Sequence, residues 1–289
     1  MGHGSLNRTE RASLAALYIF TLAAVLGYGV FALHPERLPA TDFARSFFAS
    51  SFALSARVHI LLSTLVLALA FFRRAGARWL VALLTVFVLS FLAEHTGTGT
   101  GFPFSGYRYT SLLGPRIGER VPWLIPASWF LMAAPSWILA RRTFPTRLVP
   151  RVLFASYLLM LWDVALDPAM SHLVTYWIWE TPGPYYGMPW LNFAGWYGTG
   201  LVLMAALEFL DRRLDWAGDV PVRWALLYHV AIVLMPLGML LAAGAWGAVA
   251  ATIAGAALAL VVHLLASSRG APPSVVSGGD RGSAVEVAG

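Results

Sequence analysis

The sequence predicts an all-α protein, a polytopic bundle of about eight membrane-spanning helices. Three observations carry that expectation. Of 289 residues, 58% are hydrophobic and only 12% charged, with a mean hydropathy of +0.69, a balance far from that of an ordinary water-soluble domain. Apolar segments of roughly 20 residues, enough to cross a hydrocarbon core about 30 Å thick, recur along most of the chain. The basic residues, all of them arginine, fall unevenly between the gaps. With the first residues on one side, that side collects fourteen of the 20 arginines and the other side six. The positive-inside rule then puts both termini in the cytoplasm. An odd number of spans would destroy this split.

Taken in order, residues 1–10 are polar and read as a flexible start. A single membrane domain follows over 11–266. Its spans are expected near 11–33, 55–72, 78–94, 121–140, 148–167, 191–210, 222–243 and 246–266. The first span is too long for the apolar core of a signal peptide, usually about 7–15 residues. The run Thr96-Gly-Thr-Gly-Thr-Gly101 follows a membrane span rather than a strand, so it reads as a flexible hinge and not as a dinucleotide loop. Residues 267–289 are rich in Gly, Ser and Pro and read as a disordered tail.

Composition also narrows the chemistry. The chain has no cysteine, which excludes disulfides, thiolate nucleophiles and cysteine-ligated iron–sulfur clusters. No two of the seven histidines stand three or four apart, the spacing helical metal sites use, so no metal is expected. The net charge of +6 reflects loop arginines that set topology, with no run to grip nucleic acid.

The chemistry concentrates in 162–196, WDVALDPAMSHLVTYWIWETPGPYYGMPWLNFAGW. A carboxylate at a span's centre costs about 2.5–3.5 kcal/mol, and acids near a membrane end still need a reason. Asp163 and Asp167 are four residues apart and share one helix face, Asp163 about 6 Å deeper. Burial and a nearby like charge favour a carboxyl group that keeps its proton, which makes the pair a candidate general acid. The competing readings are structural: an ion pair of Asp163 with Arg57 or Arg108, and Asp167 as a helix-ending cap before Pro168. Glu94 and His95 end the third span. Glu180 reads as a third acid at the same level or as an exposed loop residue. His59 and His172 lie at that membrane end and read as supporting hydrogen-bonding groups. Eight of the 12 tryptophans fall within 123–196, too crowded on one loop layer for an interfacial belt alone. Finally, PWLIPASWF at 122–130 and PWLNFAGWY at 189–197 share Pro, Trp, Leu, Ala and Trp in register. Each follows a span ending in an acid and a loop of Gly and aromatics. A parallel repeat of this kind puts a site at the seam between its units.

Three stretches, GFPFSGYRYTSLLGPRIGERVPWLIPASWFLM, LMLWDVALDPAM and WIWETPGPYYGMPWLNFAGW, together resemble the CruF-type carotenoid 1,2-hydratase family of membrane carotenoid-biosynthesis proteins, over roughly residues 94–196. The resemblance implies water addition across the terminal C1–C2 double bond of an acyclic carotenoid end, giving a tertiary alcohol. It implies substrates such as lycopene, γ-carotene or a bacterioruberin precursor, no cofactor, and a multi-pass protein of the cell membrane working beside other carotenoid-biosynthesis enzymes. Such chemistry needs a strong proton donor, a shielded tertiary cation and one positioned water. Asp163 assisted by Asp167 is the expected donor. Glu94 is the second choice for donor and the first for activating water, and Asn192 is a candidate to position that water. Tyr107, Tyr109, Trp162, Trp179, Tyr185, Tyr186 and Trp196 are expected to line the substrate end, at the non-cytoplasmic face. An isoprenoid cyclase or isomerase would use the same protonation without water, and a carotenoid or lipid carrier would need no acid.

Overall fold

The computed structural model describes residues 5–268, so the expected tail, apart from its first two residues, lies outside the described residues. Eight α-helices make the bundle: α1 Arg8–Gly27, α2 Asp42–Ala75, α3 Trp79–Thr100, α4 Leu124–Thr143, α5 Leu148–Asp167, α6 Trp190–Leu214, α7 Val222–Ala242 and α8 Trp246–Ser268. Short strands lie in the loops: β1 Tyr107–Tyr109, β2 Arg116–Ile117, β3 Val121–Pro122 and β4 Trp177–Trp179. The protein is an all-α polytopic membrane bundle.

Seven of the eight helices are long and apolar enough to cross a membrane on their own. The exception is α4, whose Pro126, Ser128, Pro135 and Ser136 dilute its apolar character. Fifteen of its 20 residues are buried, and it packs against α2, α3, α5, α6, α7 and α8. A helix wrapped by other helices meets no lipid, so it tolerates proline, serine and tryptophan that a lipid-facing helix would not. The outer helices do the opposite: α8 turns Ile253, Leu258, Leu260, Leu264 and Leu265 outward.

Ion pairs gather the helix ends at one pole of the bundle. Arg74 holds Glu10 at 2.7 Å, Arg78 holds Asp215 at 3.3 Å, Arg141 holds Asp211 at 3.0 Å and Arg151 holds Glu208 at 2.8 Å. Beside them Trp216 fills the pole, stacked on Phe71 at 5.8 Å, with its indole N–H donated to the Leu207 carbonyl at 3.0 Å. The three acids Glu94, Asp163 and Asp167 lie toward the opposite pole.

Three expectations need correcting. The loose start ends at Arg8, because Asn7 and Glu10 close a reciprocal capping box that begins α1 there. The second span does not start near residue 55: α2 starts at Asp42, with the Thr41 hydroxyl accepting from the Ala44 N–H, and its 34 residues run about 50 Å, well beyond the roughly 30 Å a bilayer core requires. The glycine–threonine run is no hinge. It is the last turn and a half of α3, stopped at Gly101 with φ +81°. A Cβ on Gly97 would lie 2.8 Å from the Phe104 ring, so this glycine is the gap through which the following loop folds back onto the helix.

Candidate functional site

The fold-back builds the site. The loop after α3 returns as β1, and the loop after α5 returns as β4. The two pair antiparallel, Tyr107 opposite Trp179, Arg108 opposite Ile178 and Tyr109 opposite Trp177. Alternation along a strand sends Tyr107 and Tyr109 inward and leaves Arg108 exposed. On the partner strand Trp177 and Trp179 point inward.

Under this two-stranded cover lies a cavity of about 100 Å³, room for several waters. Its polar wall is Glu94 from α3, Asp163 and Asp167 from α5, and Asn192 from the first turn of α6. Its other walls include Tyr107, Tyr109, Trp129, Trp162, Trp177, Trp179 and Trp196, with Leu131, Ile232 and Met235 deeper in the bundle.

The acids divide into two groups. The Asn192 amide donates to Asp163 Oδ2 at 2.8 Å and to Asp167 Oδ2 at 2.6 Å. Asp167 Oδ1 accepts from the Trp177 indole at 2.8 Å. Asp163 is fully buried, and no N–H or O–H donor among the described residues reaches its Oδ1. Glu94 Oε1 accepts from the Trp129 indole at 2.9 Å, and its Oε2 accepts from the Tyr109 hydroxyl at 2.7 Å and from the Tyr107 hydroxyl. Burial, and next the charge of Glu94, hold both phenols protonated well above the ordinary tyrosine range. Both therefore stay O–H donors. None of the three acids has an arginine partner within ion-pair distance among the described residues.

Of the sequence-derived candidates, the structure brings Glu94, Asp163, Asp167, Tyr107, Tyr109, Trp162, Trp179, Asn192, Trp196 and His59 to one cavity. His59 sits on its α2 wall, with Nε2 3.2 Å from the Thr21 hydroxyl. The remainder stand elsewhere. Glu180 is exposed at the end of β4, where its backbone N–H bonds the Gly106 carbonyl at 2.9 Å. Tyr185 and Tyr186 are struts: the first donates its hydroxyl to the Val164 carbonyl at 2.9 Å, and the second accepts the Ala248 N–H at 3.1 Å. Arg57 donates to the Leu112 and Ser111 carbonyls, pinning the loop after β1 rather than pairing with Asp163. Arg108 faces outward because the strand's alternation spends its inward positions on the two tyrosines. His95 packs beside Phe91, and exposed His172 meets the edge of Tyr186. Asp167 is no cap either. Its side chain is taken by Trp177 and Asn192, and the chain continues past it as a wide helical turn, Pro168–Leu173.

Two contributors escaped the sequence reading, Trp129 and Trp177. The repeat held the signal for the first. Trp129 of PWLIPASWF and Trp196 of PWLNFAGWY occupy the same register, and in the structure they stack with centroids 4.0 Å apart and planes at 16°. Around that stack the two units match. Each runs from an acid in the last two turns of one helix, through an inward-facing strand, to a Pro-Trp start of the next helix. Four residues before each acid stands a polar side chain bonded into the following helix: Asp163 to Asn192, and Ser90 to the Pro126 carbonyl at 3.4 Å.

Comparison with known proteins gives the chain a family. No solved structure matches the chain. A bisanhydrobacterioruberin hydratase of Haloarcula japonica is 32% identical over 151 residues, which is 49% of this chain and 50% of that relative, so the likeness spans about half of each. A family described as "Carotenoid biosynthesis protein" matches residues 55–262. That match runs from α2 into α8 and takes in both repeat units, the paired strands, the three acids and Asn192, and by it the chain belongs to the carotenoid biosynthesis protein family.

Proposed function

We propose that this protein is a carotenoid hydratase that adds water across the terminal C1–C2 double bond of an acyclic carotenoid end group. One observation carries the reading: among the described residues, Asp163 holds a fully buried carboxyl oxygen that no donor reaches, in an aromatic cavity that no cation neutralises. Protonating a trisubstituted alkene at C2 calls for such a group, and the tertiary cation left at C1 is tolerated beside aromatic faces. Family membership and the likeness to a hydratase support the same class of substrate. The small cavity suits an end group and water, with the polyene running out along the bundle. Arginines at the far pole favour a cytoplasmic far pole and a site toward the non-cytoplasmic face. No cofactor enters the scheme.

The test is expression in a host that accumulates lycopene, grown in H₂¹⁸O, with mass analysis of its pigments. A tertiary alcohol carrying ¹⁸O, absent with Asp163→Asn although that variant reaches the membrane, supports the proposal. A new pigment of unchanged mass would assign a cyclase or isomerase instead, and pigment bound but unaltered would assign a carrier.

A further inference from the structure

The acids stand in two unlike half-sites, one in each repeat unit. Resting on the hydratase reading, we infer that these halves divide the reaction: the Asp163–Asp167 half delivers the proton, and the Glu94 half removes one from the attacking water.

Hydrogen-bond accounting leads there. Glu94 receives three donors, and one of them, the Trp129 indole, can only donate. A carboxyl group whose two oxygens are both engaged by donors is held as an anion, and a carboxylate is a base. In the other half a single Asn192 amide spans both aspartates, at 2.8 and 2.6 Å. Two full negative charges on one amide in a buried site repel, so the pair shares one proton, as paired carboxyls do. Asp167 is engaged by donors on both oxygens, Trp177 and Asn192, whereas no donor among the described residues reaches Asp163 Oδ1. The one proton of the pair therefore belongs on Asp163, whose Oδ1 is the oxygen left for substrate.

The reaction balances on these groups. The alkene π pair takes the hydrogen from Asp163 Oδ1, a C2–H bond forms, and C1 becomes a tertiary cation. Water attacks C1 and its surplus proton passes to Glu94. That proton returns to the Asp163–Asp167 pair through cavity water, so the net change is the addition of one H₂O. The sequence alignment of the repeats explains how the halves came to differ. The positions that answer to Asp163 and Asn192 are Ser90 and Ile125 in the Glu94 unit, so that unit lacks both the second acid and the bridging amide.

Deuterium separates the two roles. Membranes containing the full-length protein and lycopene are incubated in D₂O, and deuterium is read both in the alcohol and in recovered alkene. With Glu94→Gln the donor half is intact, so the cation still forms but collapses by losing a proton. Alcohol is expected to fall on the order of 100-fold or more while deuterium keeps entering the alkene. Asp163→Asn should stop both. Tyr109→Phe and Trp129→Phe, which loosen Glu94 without removing it, should raise the ratio of labelled alkene to alcohol, a partition that a merely structural loss would leave unchanged. Loss of both signals in Glu94→Gln while these two milder variants keep the wild-type ratio overturns the division, as does retention of alcohol in Glu94→Gln. Absence of alcohol from the wild-type protein instead strikes the hydratase reading itself.

Discussion

The two poles of the bundle handle their acids in opposite ways. At one pole Glu10, Glu208, Asp211 and Asp215 each lie against an arginine, and the deepest pair, Arg151 with Glu208, joins α5 to α6 inside the fold. At the other pole Glu94, Asp163 and Asp167 are held by phenols, indoles and one amide. Arginine fixes an acid permanently as an anion and satisfies it twice over. Neutral donors orient an acid and leave its charge open to change. The contrast teaches that the first pole holds helices together, where lipid offers no hydrophobic drive for them to associate, and that the second, on the hydratase proposal, is the pole suited to moving protons.

Breaking the contrast at the site should have the largest effect. Asp163→Asn is expected to lower alcohol formation by about 10³-fold or more, measured as product per unit of membrane-inserted protein. At the other pole Arg151→Leu leaves Glu208 only its exposed partner Arg212, 3.2 Å away, and should destabilise the fold by up to about 3 kcal/mol. Thermal unfolding in detergent checks it, and activity per folded molecule should stay near wild type. Asn192→Ala unties the two aspartates and should cost about 100-fold in turnover, within the range of a mispositioned catalytic group. Tyr109→Phe removes one of three donors to Glu94 and should cost about tenfold, the size of one hydrogen bond to a charged group. Glu180→Gln should change turnover less than twofold, because an exposed acid on the strand's outer end contributes little; a large loss there would blur the comparison.

The helices were legible because hydropathy and arginine bias are properties of whole segments. The acids were legible one by one, since a carboxylate in an apolar run always needs a reason. What stayed hidden depended on partners far along the chain. Trp129 and Trp177 look like any interfacial tryptophan until the strands β1 and β4 pair and α4 meets α6. Tyr185 and Tyr186 share the composition of the site and serve only as struts, because a strained turn at Tyr186, φ +53°, aims them at α5 and α8. Gly97 reads as a breaker, yet it is helical because Phe104 and Tyr107 need the space a side chain would fill. Residues 42–54 carry no apolar run of spanning length, so the long lead into α2 left no trace in hydropathy.

The shielding of α4 has a practical consequence for mapping this protein in cells. A hydropathy count stops at seven crossings and sends the end of α8 to the compartment opposite the start of α1. The eighth helix, which a strict count omits because prolines and serines dilute it where its neighbours bury it, restores the parity expected from the arginines. Reporter fusions placed before α1 and after α8 should therefore light up in the same compartment, and every loop after α4 carries the opposite address from the one a seven-helix drawing would assign.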